Sequence, residues 1–298
     1  MLSFLCILLL INVITIYSLT YIEEIIRPLN QYPMIMSHDA ATGEIIPERD
    51  HILEKWTITQ YGGLTKQLDC GSRSFDYRPY YHNNTLYAHH GGVKIHKPMS
   101  ESILEVKEWA HNNPDDLVMF YLSHFEGDSG CQEASINLLE TLNVYTITDC
   151  TILSTLTVQQ TKLLSKQLGG GYLFALVDCM DEFYDSSITC YGHGYSCYDS
   201  WPQNSSSIPW NKLSSYMSLV TSSSPSEEAE LWMAQAHWQS SALSISIGTL
   251  HNSTILLDEE KSGVNQWIAN EIKQNSFSYL NILELDNVCD GGIDVYNA

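Results

Sequence analysis

The chain has 298 residues and a 44% hydrophobic composition, enough for the single core that an α/β barrel of about 250 residues needs. Thirty-five acidic residues against 14 Lys and Arg leave a net charge of −21, which argues against nucleic acid and against a membrane held by a polybasic patch. An anionic ligand must therefore be met by a few local cations.

In chain order, residues 2–19 are an apolar run, and polar chain begins at Glu23. This reads as a secretory signal peptide over residues 1–20, with cleavage after Thr20. The missing basic n-region leaves an uncleaved anchor as the alternative. Residues 21–298 then form one barrel domain. Pro33–His38 reads as a buried strand ending in polar residues. Arg73–Arg78 alternates, with Phe75 and Tyr77 on one side and Asp76 and Arg78 on the other. Leu86–His90 reads as a third strand after the turn-forming Asn83 and Asn84. Ser100 is placed to cap a helix running to Asn112, with Ile103, Val106 and Ala110 on one face and Pro114 behind its end. Leu117–Leu122 is a continuous buried strand.

The second half repeats the rhythm. Leu156–Leu168 is helical, and Gly169–Gly171 ends it. Tyr172–Val177 is a strand, and residues 180–225 are irregular and aromatic. Leu231–Trp238 suits helix or strand by periodicity. Gly263–Gln274 is helical, and Leu280–Leu285 is a last strand. Such alternation predicts a parallel sheet, and in a single TIM-type α/β barrel the functional groups gather at strand C-terminal ends. His38, Arg78, His90, Ser123 and Asp286 fall there by this reading.

Apart from Cys6 there are seven scattered cysteines, without the paired spacing of a zinc site. Cys131 with Cys150 and Cys190 with Cys197 would close short loops, and Cys70, Cys179 and Cys289 leave room for one further bridge. Asn83, Asn204 and Asn252 head glycosylation sequons. These features agree with export. His51, His82, His96, His111, His193 and His251 sit among polar neighbours and are expected at the surface.

Two histidine clusters, Ser37-His38-Asp39 and His89-His90-Gly91, flank the segment Asp76-Tyr77-Arg78. Two imidazoles and a guanidinium suit proton transfer on both sides of a phosphodiester while a fixed cation holds its charge. Together with Gln67–Arg78 and Asn113-Pro114-Asp115-Asp116, these motifs make the chain resemble the catalytic X domain of phosphatidylinositol-specific phospholipase C. The likeness is best over residues 31–125 and traceable to Asp290. It implies His38 as general base and His90, the histidine directly before glycine, as general acid. It implies Asp39 supporting the acid side, Asp76 orienting Arg78 or an imidazole, and Asp286 steering His38. His89 would pack between barrel and helices. Asp76-x-Arg78 resembles the bacterial and secreted type, in which the guanidinium stands where animal enzymes bind calcium, so no metal and no other cofactor is expected.

The sequence departs from the bacterial pattern where basic residues hold inositol: the corresponding strand ends carry Ser123-His124 and Asp178-Cys179. His124 is a candidate substitute, and the resemblance makes Leu231–Trp238 a barrel strand from which Gln235 and His237 reach the pocket. The expected partners are a phospholipid or inositol-phosphodiester substrate and a transient membrane surface, with no nucleic acid, for a secreted monomer. The alternatives are a barrel altered to bind a sugar or lipid headgroup, and a metal-dependent glycerophosphodiesterase or sphingomyelinase-like enzyme.

Overall fold

The structure, a computed structural model, describes residues 26–46, 55–182, 208–222, 231–240 and 242–298. The expected signal peptide, His51, His193, the Cys190–Cys197 pair, the Asn204 sequon and the aromatic stretch 184–201 lie outside the described residues. In chain order the strands are β1 (Met34–Ser37), β2 (Ser74–Tyr77), β3 (Pro79–His82), β4 (Thr85–His90), β5 (Val93–Ile95), β6 (Leu117–Leu122), β7 (Glu126–Gly127), β8 (Tyr145–Ile147), β9 (Tyr172–Val177), β10 (Met180–Glu182), β11 (Leu231–Gln235) and β12 (Ile282–Leu285). Eight of them form one curled, all-parallel sheet in the order β10-β11-β12-β1-β2-β6-β9-β8, which makes the α/β barrel expected from the alternation.

Strand alternation sorts the side chains into layers. Met34, Met36, Met119, Tyr121, Phe174, Leu176, Met233 and Ile282 pack together inside the curl. Ile35, Ala234 and Leu283 face outward against Trp210, Leu213, Val264 and Ile268. Phe75, Val118 and Phe120 face outward against Leu64, Leu68, Ile103 and Val106. Continued past the strand ends, the interior phase arrives at His38, Arg78, Ser123, His237 and Asp286. Polar chemistry is thus confined to the C-terminal mouth.

The helices are α1 (Leu64–Asp69), α2 (Met99–Asn112), α3 (Cys131–Thr141), α4 (Val158–Ser165), α5 (Ile208–Val220), α6 (Ala242–Leu250), α7 (Ile255–Ser262), α8 (Val264–Lys273) and α9 (Gly292–Tyr296). Helix α2 buries Ile103, Val106 and Ala110 as its periodicity requires, but its N-cap is Pro98, two residues before Ser100. Helix α4 is shorter than its apolar pattern, because a capping box formed by Thr157 and Gln160 sets its start. Residues 208–220, expected to be irregular, are helical. The Gly263–Gln274 helix has a partner before it, α7, and Gly263 at φ 67° provides the break between them. Leu231–Gln235 is a strand, pairing with β10 and β12.

The main topological correction concerns β4. It does not join the barrel but forms a second sheet, β5-β4-β3-β7, built on the β3–β4 hairpin. Asn83 and Asn84, at φ 50° and 59°, supply the left-handed turn that a two-residue hairpin needs. Alternation alone does not reveal which sheet a strand enters.

One further bridge forms among Cys70, Cys179 and Cys289 as expected, but the Cys131–Cys150 pairing does not form. Cys70 bonds Cys289, and Cys150 bonds Cys179 rather than Cys131. Cys131 is free and buried at the start of α3, against the Pro79 carbonyl. Loop length favoured Cys131–Cys150, but the fold carries Cys150 past β8 toward the end of β9. His82, His96, His111 and His251 are exposed as expected, as are Asn83 and Asn252. Among the described residues no helix is long and apolar enough to cross a membrane.

Candidate active site

The site starts from the end of β1. His38 follows Ser37, and its backbone N–H donates to the Leu285 carbonyl of β12 at 3.0 Å. Its own carbonyl accepts from Thr59 Oγ1 at 2.8 Å and Gln60 Nε2 at 3.1 Å. Gln60 Nε2 also donates to the Leu285 carbonyl at 2.8 Å, so one side chain clamps the two strand ends together. Asp39 then takes a left-handed backbone, φ 44°, uncommon for a residue other than glycine. Its N–H donates to Asp76 Oδ2 at 3.1 Å.

Around this turn the charged groups converge. His38 Nδ1 lies 2.7 Å from Asp286 Oδ1, and His38 Nε2 lies 3.1 Å from Asp39 Oδ2. His90 Nε2 is 3.2 Å from the same Asp39 oxygen. Arg78 Nε is 2.9 Å from Asp39 Oδ1, while its Nη2 donates to Asp76 Oδ2 at 2.9 Å. His90 enters from the second sheet, above the barrel mouth, and its Nδ1 lies 2.8 Å from the Thr57 carbonyl. That contact fixes the ring so that Nε2 faces Asp39. His38, Asp39, Asp76, Arg78, His90 and Asp286 are thus brought into one cluster.

Burial by itself would discharge His38, but Asp39, Asp286 and Glu284 outweigh it and hold the imidazole pKa well above 6.5. Burial likewise opposes the Asp76 carboxylate, and Arg78, then His38, overcome it and keep its pKa below the usual range. The same carboxylates keep Arg78 charged despite its burial.

Other expected residues fall differently. His124 is exposed with a left-handed backbone, its Nδ1 2.8 Å from Ser123 Oγ, and it is no part of the ion-pair cluster. Gln235 occupies the interior phase of β11, in register with Glu284, half-buried, with its N–H bonded to the Tyr216 hydroxyl. His89 is buried by the loop after β6 rather than between barrel and helices: its Nε2 is 2.7 Å from the His124 carbonyl. Thr57, Thr59, Gln60 and Glu284 were not marked by any motif. They act through backbone groups or through strand pairing that spans most of the chain.

Two groups of side chains have the composition of a metal site: His38, His237 and Asp286, and His38, Asp76 and Glu284. In the first, the two imidazole planes are 15° apart and stacked, so their in-plane lone pairs run parallel and do not meet at one ion. In the second, Asp76 is already engaged by the Arg78 guanidinium at 2.9 Å, and a divalent ion there would face that fixed charge. A cavity of about 590 Å³ opens at the opposite, N-terminal end of the barrel, where Arg73 is taken up by Asp116 and two backbone carbonyls. None of the clustered residues lines it.

A barrel with its polar groups gathered at the strand C-terminal ends defines the general class. The particular likeness is to phosphatidylinositol-specific phospholipases C of bacteria. A pentafluoro-phenylalanine variant of the Staphylococcus aureus enzyme superposes with a TM-score of 0.62 at 14% identity, over 90% of this chain and 93% of that one. A second structure of the S. aureus enzyme, concerned with modulation of its membrane binding, gives 0.60 at 15% identity, over 90% and 93%. The Listeria monocytogenes enzyme gives 0.59 at 13% identity, over 92% of this chain and 95% of its own. No family model matches the sequence. The likeness is one of fold.

Proposed function

We propose that the protein is an exported phosphodiesterase of the phospholipase C type, acting on a phosphatidylinositol-like substrate without a metal ion. One observation carries the reading: the Nε2 atoms of two imidazoles, His38 and His90, face a single Asp39 oxygen at 3.1 and 3.2 Å, beside the permanently charged Arg78. Binding a neutral headgroup needs no such pair of proton carriers.

In the step this arrangement suits, His38 Nε2 takes the proton of a substrate hydroxyl neighbouring the phosphate. That oxygen bonds phosphorus, the bond from phosphorus to the lipid oxygen breaks, and His90 Nε2 gives its proton to the leaving oxygen. The products are a cyclic phosphate and a diacylglycerol. Arg78 meets charge on the non-bridging oxygens, Asp286 holds His38 by Nδ1, and Asp76 orients Arg78. The lipid substrate implies transient contact with a phospholipid surface. Two disulfides fit an oxidising compartment and hence export.

Phosphorus NMR of the products from phosphatidylinositol tests this, run with and without excess chelator. A five-membered cyclic inositol phosphate formed at equal rates in both is the expected result. No phosphorus-containing product, or one that requires calcium, would overturn the reading.

A further inference from the structure

Against the face of His38 the site holds a third imidazole. Ala236 N–H donates to the Glu284 carbonyl at 2.9 Å, which fixes the end of β11 against β12 and sets His237 on the interior phase beside Glu284 and Asp286. The His237 ring lies flat against His38, with centroids 4.2 Å apart and planes at 15°. Its side chain is fully buried, and its Nε2 is 3.1 Å from Glu284 Oε2, itself only 1% exposed. Among the described residues its Nδ1 has no hydrogen-bond partner, and it stands 3.8 Å from Asp286 Oδ2. An apolar side chain would fill this position at lower desolvation cost than a buried imidazole with a buried carboxylate behind it. The pair is therefore best understood by what it does to the ring it touches.

We propose that His237, locked by Glu284, is a positioning residue that fixes the plane of the His38 imidazole. Asp286 holds His38 at Nδ1 and Asp39 faces its Nε2, and neither carboxylate stops the ring plane from swinging. The stacked His237 face closes one side of the swing, so Nε2 keeps its aim toward the reacting hydroxyl. The Glu284 contact at Nε2 holds the His237 ring, and its π face lies against the ring that takes the proton. The groups around His38 are then Asp39 and His90 at its Nε2 end, Asp286 and Glu284 from β12, Asp76 and Arg78 from the end of β2, His237 from β11 and Glu259 from α7. Glu284 belongs among those that favour its charged form.

This inference rests on His38 being the proton acceptor, but its first test does not need turnover. Histidine NMR of the ligand-free full chain follows the His38 titration in the wild type and in Glu284→Gln. The amide keeps an acceptor for His237 and removes the charge. The expected result is a His38 midpoint lower by about one pH unit, a tenfold loss of proton affinity. An unmoved midpoint means that Glu284 does not act on His38 through the stacked pair and overturns the proposal even if the phosphodiesterase reading stands, and the shift supports it even if that reading fails. Kinetics supply the second test. His237→Ala should lower kcat about tenfold while changing KM by less than about twofold, as loss of alignment does. His237→Phe restores a flat face and should recover most of kcat. Wild-type kcat in a folded His237→Ala protein, or Phe no better than Ala, overturns the positioning role. Should Ala abolish the cooperative melt, the comparison of His237→Phe with Glu284→Gln decides: loss in Phe equal to or greater than in Gln sinks the stacking argument.

Discussion

Both ring nitrogens of His38 face carboxylates, Asp286 and Asp39, so the ligand-free site favours the imidazolium. A general base must be neutral to act. The acid limb of kcat/KM is therefore expected above pH 6.5, where an unperturbed histidine would place it. Asp286→Asn removes one stabilising charge, lowers the His38 pKa and moves that limb to lower pH. It also frees the tautomer, and the rate should fall about 10²-fold or more. An unchanged limb and rate would return Asp286 to the role of a structural strand-end acid. Stability follows the same charges. The His38 contribution is full below pH 6.5 and lost as pH rises through its raised folded value, whereas the Asp76 contribution is present above its ordinary 3.8 and lost as pH falls through its lowered value. Thermal melts against pH should therefore decline at both ends. Arg78→Lys tests the remaining cation: an ammonium cannot reproduce contacts to both Asp76 and Asp39, and most activity should be lost.

Among the elements, the hairpin sheet decides how the two adjacent histidines divide their work. His90, at its end, reaches Asp39 and is fixed by Thr57, while His89 points away and bonds the His124 carbonyl. His90→Ala should lower turnover by about 10²–10⁴-fold with an unchanged melt. His89→Ala should lower the melting temperature and leave most of kcat in the folded fraction. Equal losses of activity in two equally stable variants would reverse the assignment. That the two side chains point opposite ways was readable in the sequence from strand alternation. What was not readable is that β4 leaves the barrel, because Leu86–His90 carries the same alternation as a barrel strand. The cluster from His38 to His90 lies within one stretch of chain, so its motifs show as spacing. Asp286 shows in the sequence as a strand-end acid, its partner His38 only through resemblance, and the pairing of His237 with Glu284 depends on the register of β11 against β12, which spacing does not encode. Cys150 paired with Cys179 rather than Cys131 for the same reason: neighbours in space are set by sheet order.

For the whole molecule, closure matters most. Strand β1 sits between β12 and β2, so the end of the chain must return to its beginning, and Cys70–Cys289 secures that return across a sequence separation of 219 residues. Replacing both cysteines by serine should cost about 2–5 kcal/mol of unfolding free energy, measured by denaturant titration. The net charge of −21 adds a long-range repulsion that salt screens, so the melting temperature should rise between low and moderate ionic strength.

Among the described residues β8 and β10 are each paired on one side only, and Cys150–Cys179 joins the turn after β8 to the residue just before β10. The bond rivets the end of β8 to the short connection from β9 to β10. Where thiols stay reduced, the hoop can spring there and present two strand edges to other copies of the chain. Soluble yield should therefore depend on where the protein is made: oxidative folding should give a single species by size exclusion, and a Cys150→Ser chain should drift to edge-paired oligomers. The oxidising compartment proposed for the protein would then guard its edges as well as bring it to its substrate.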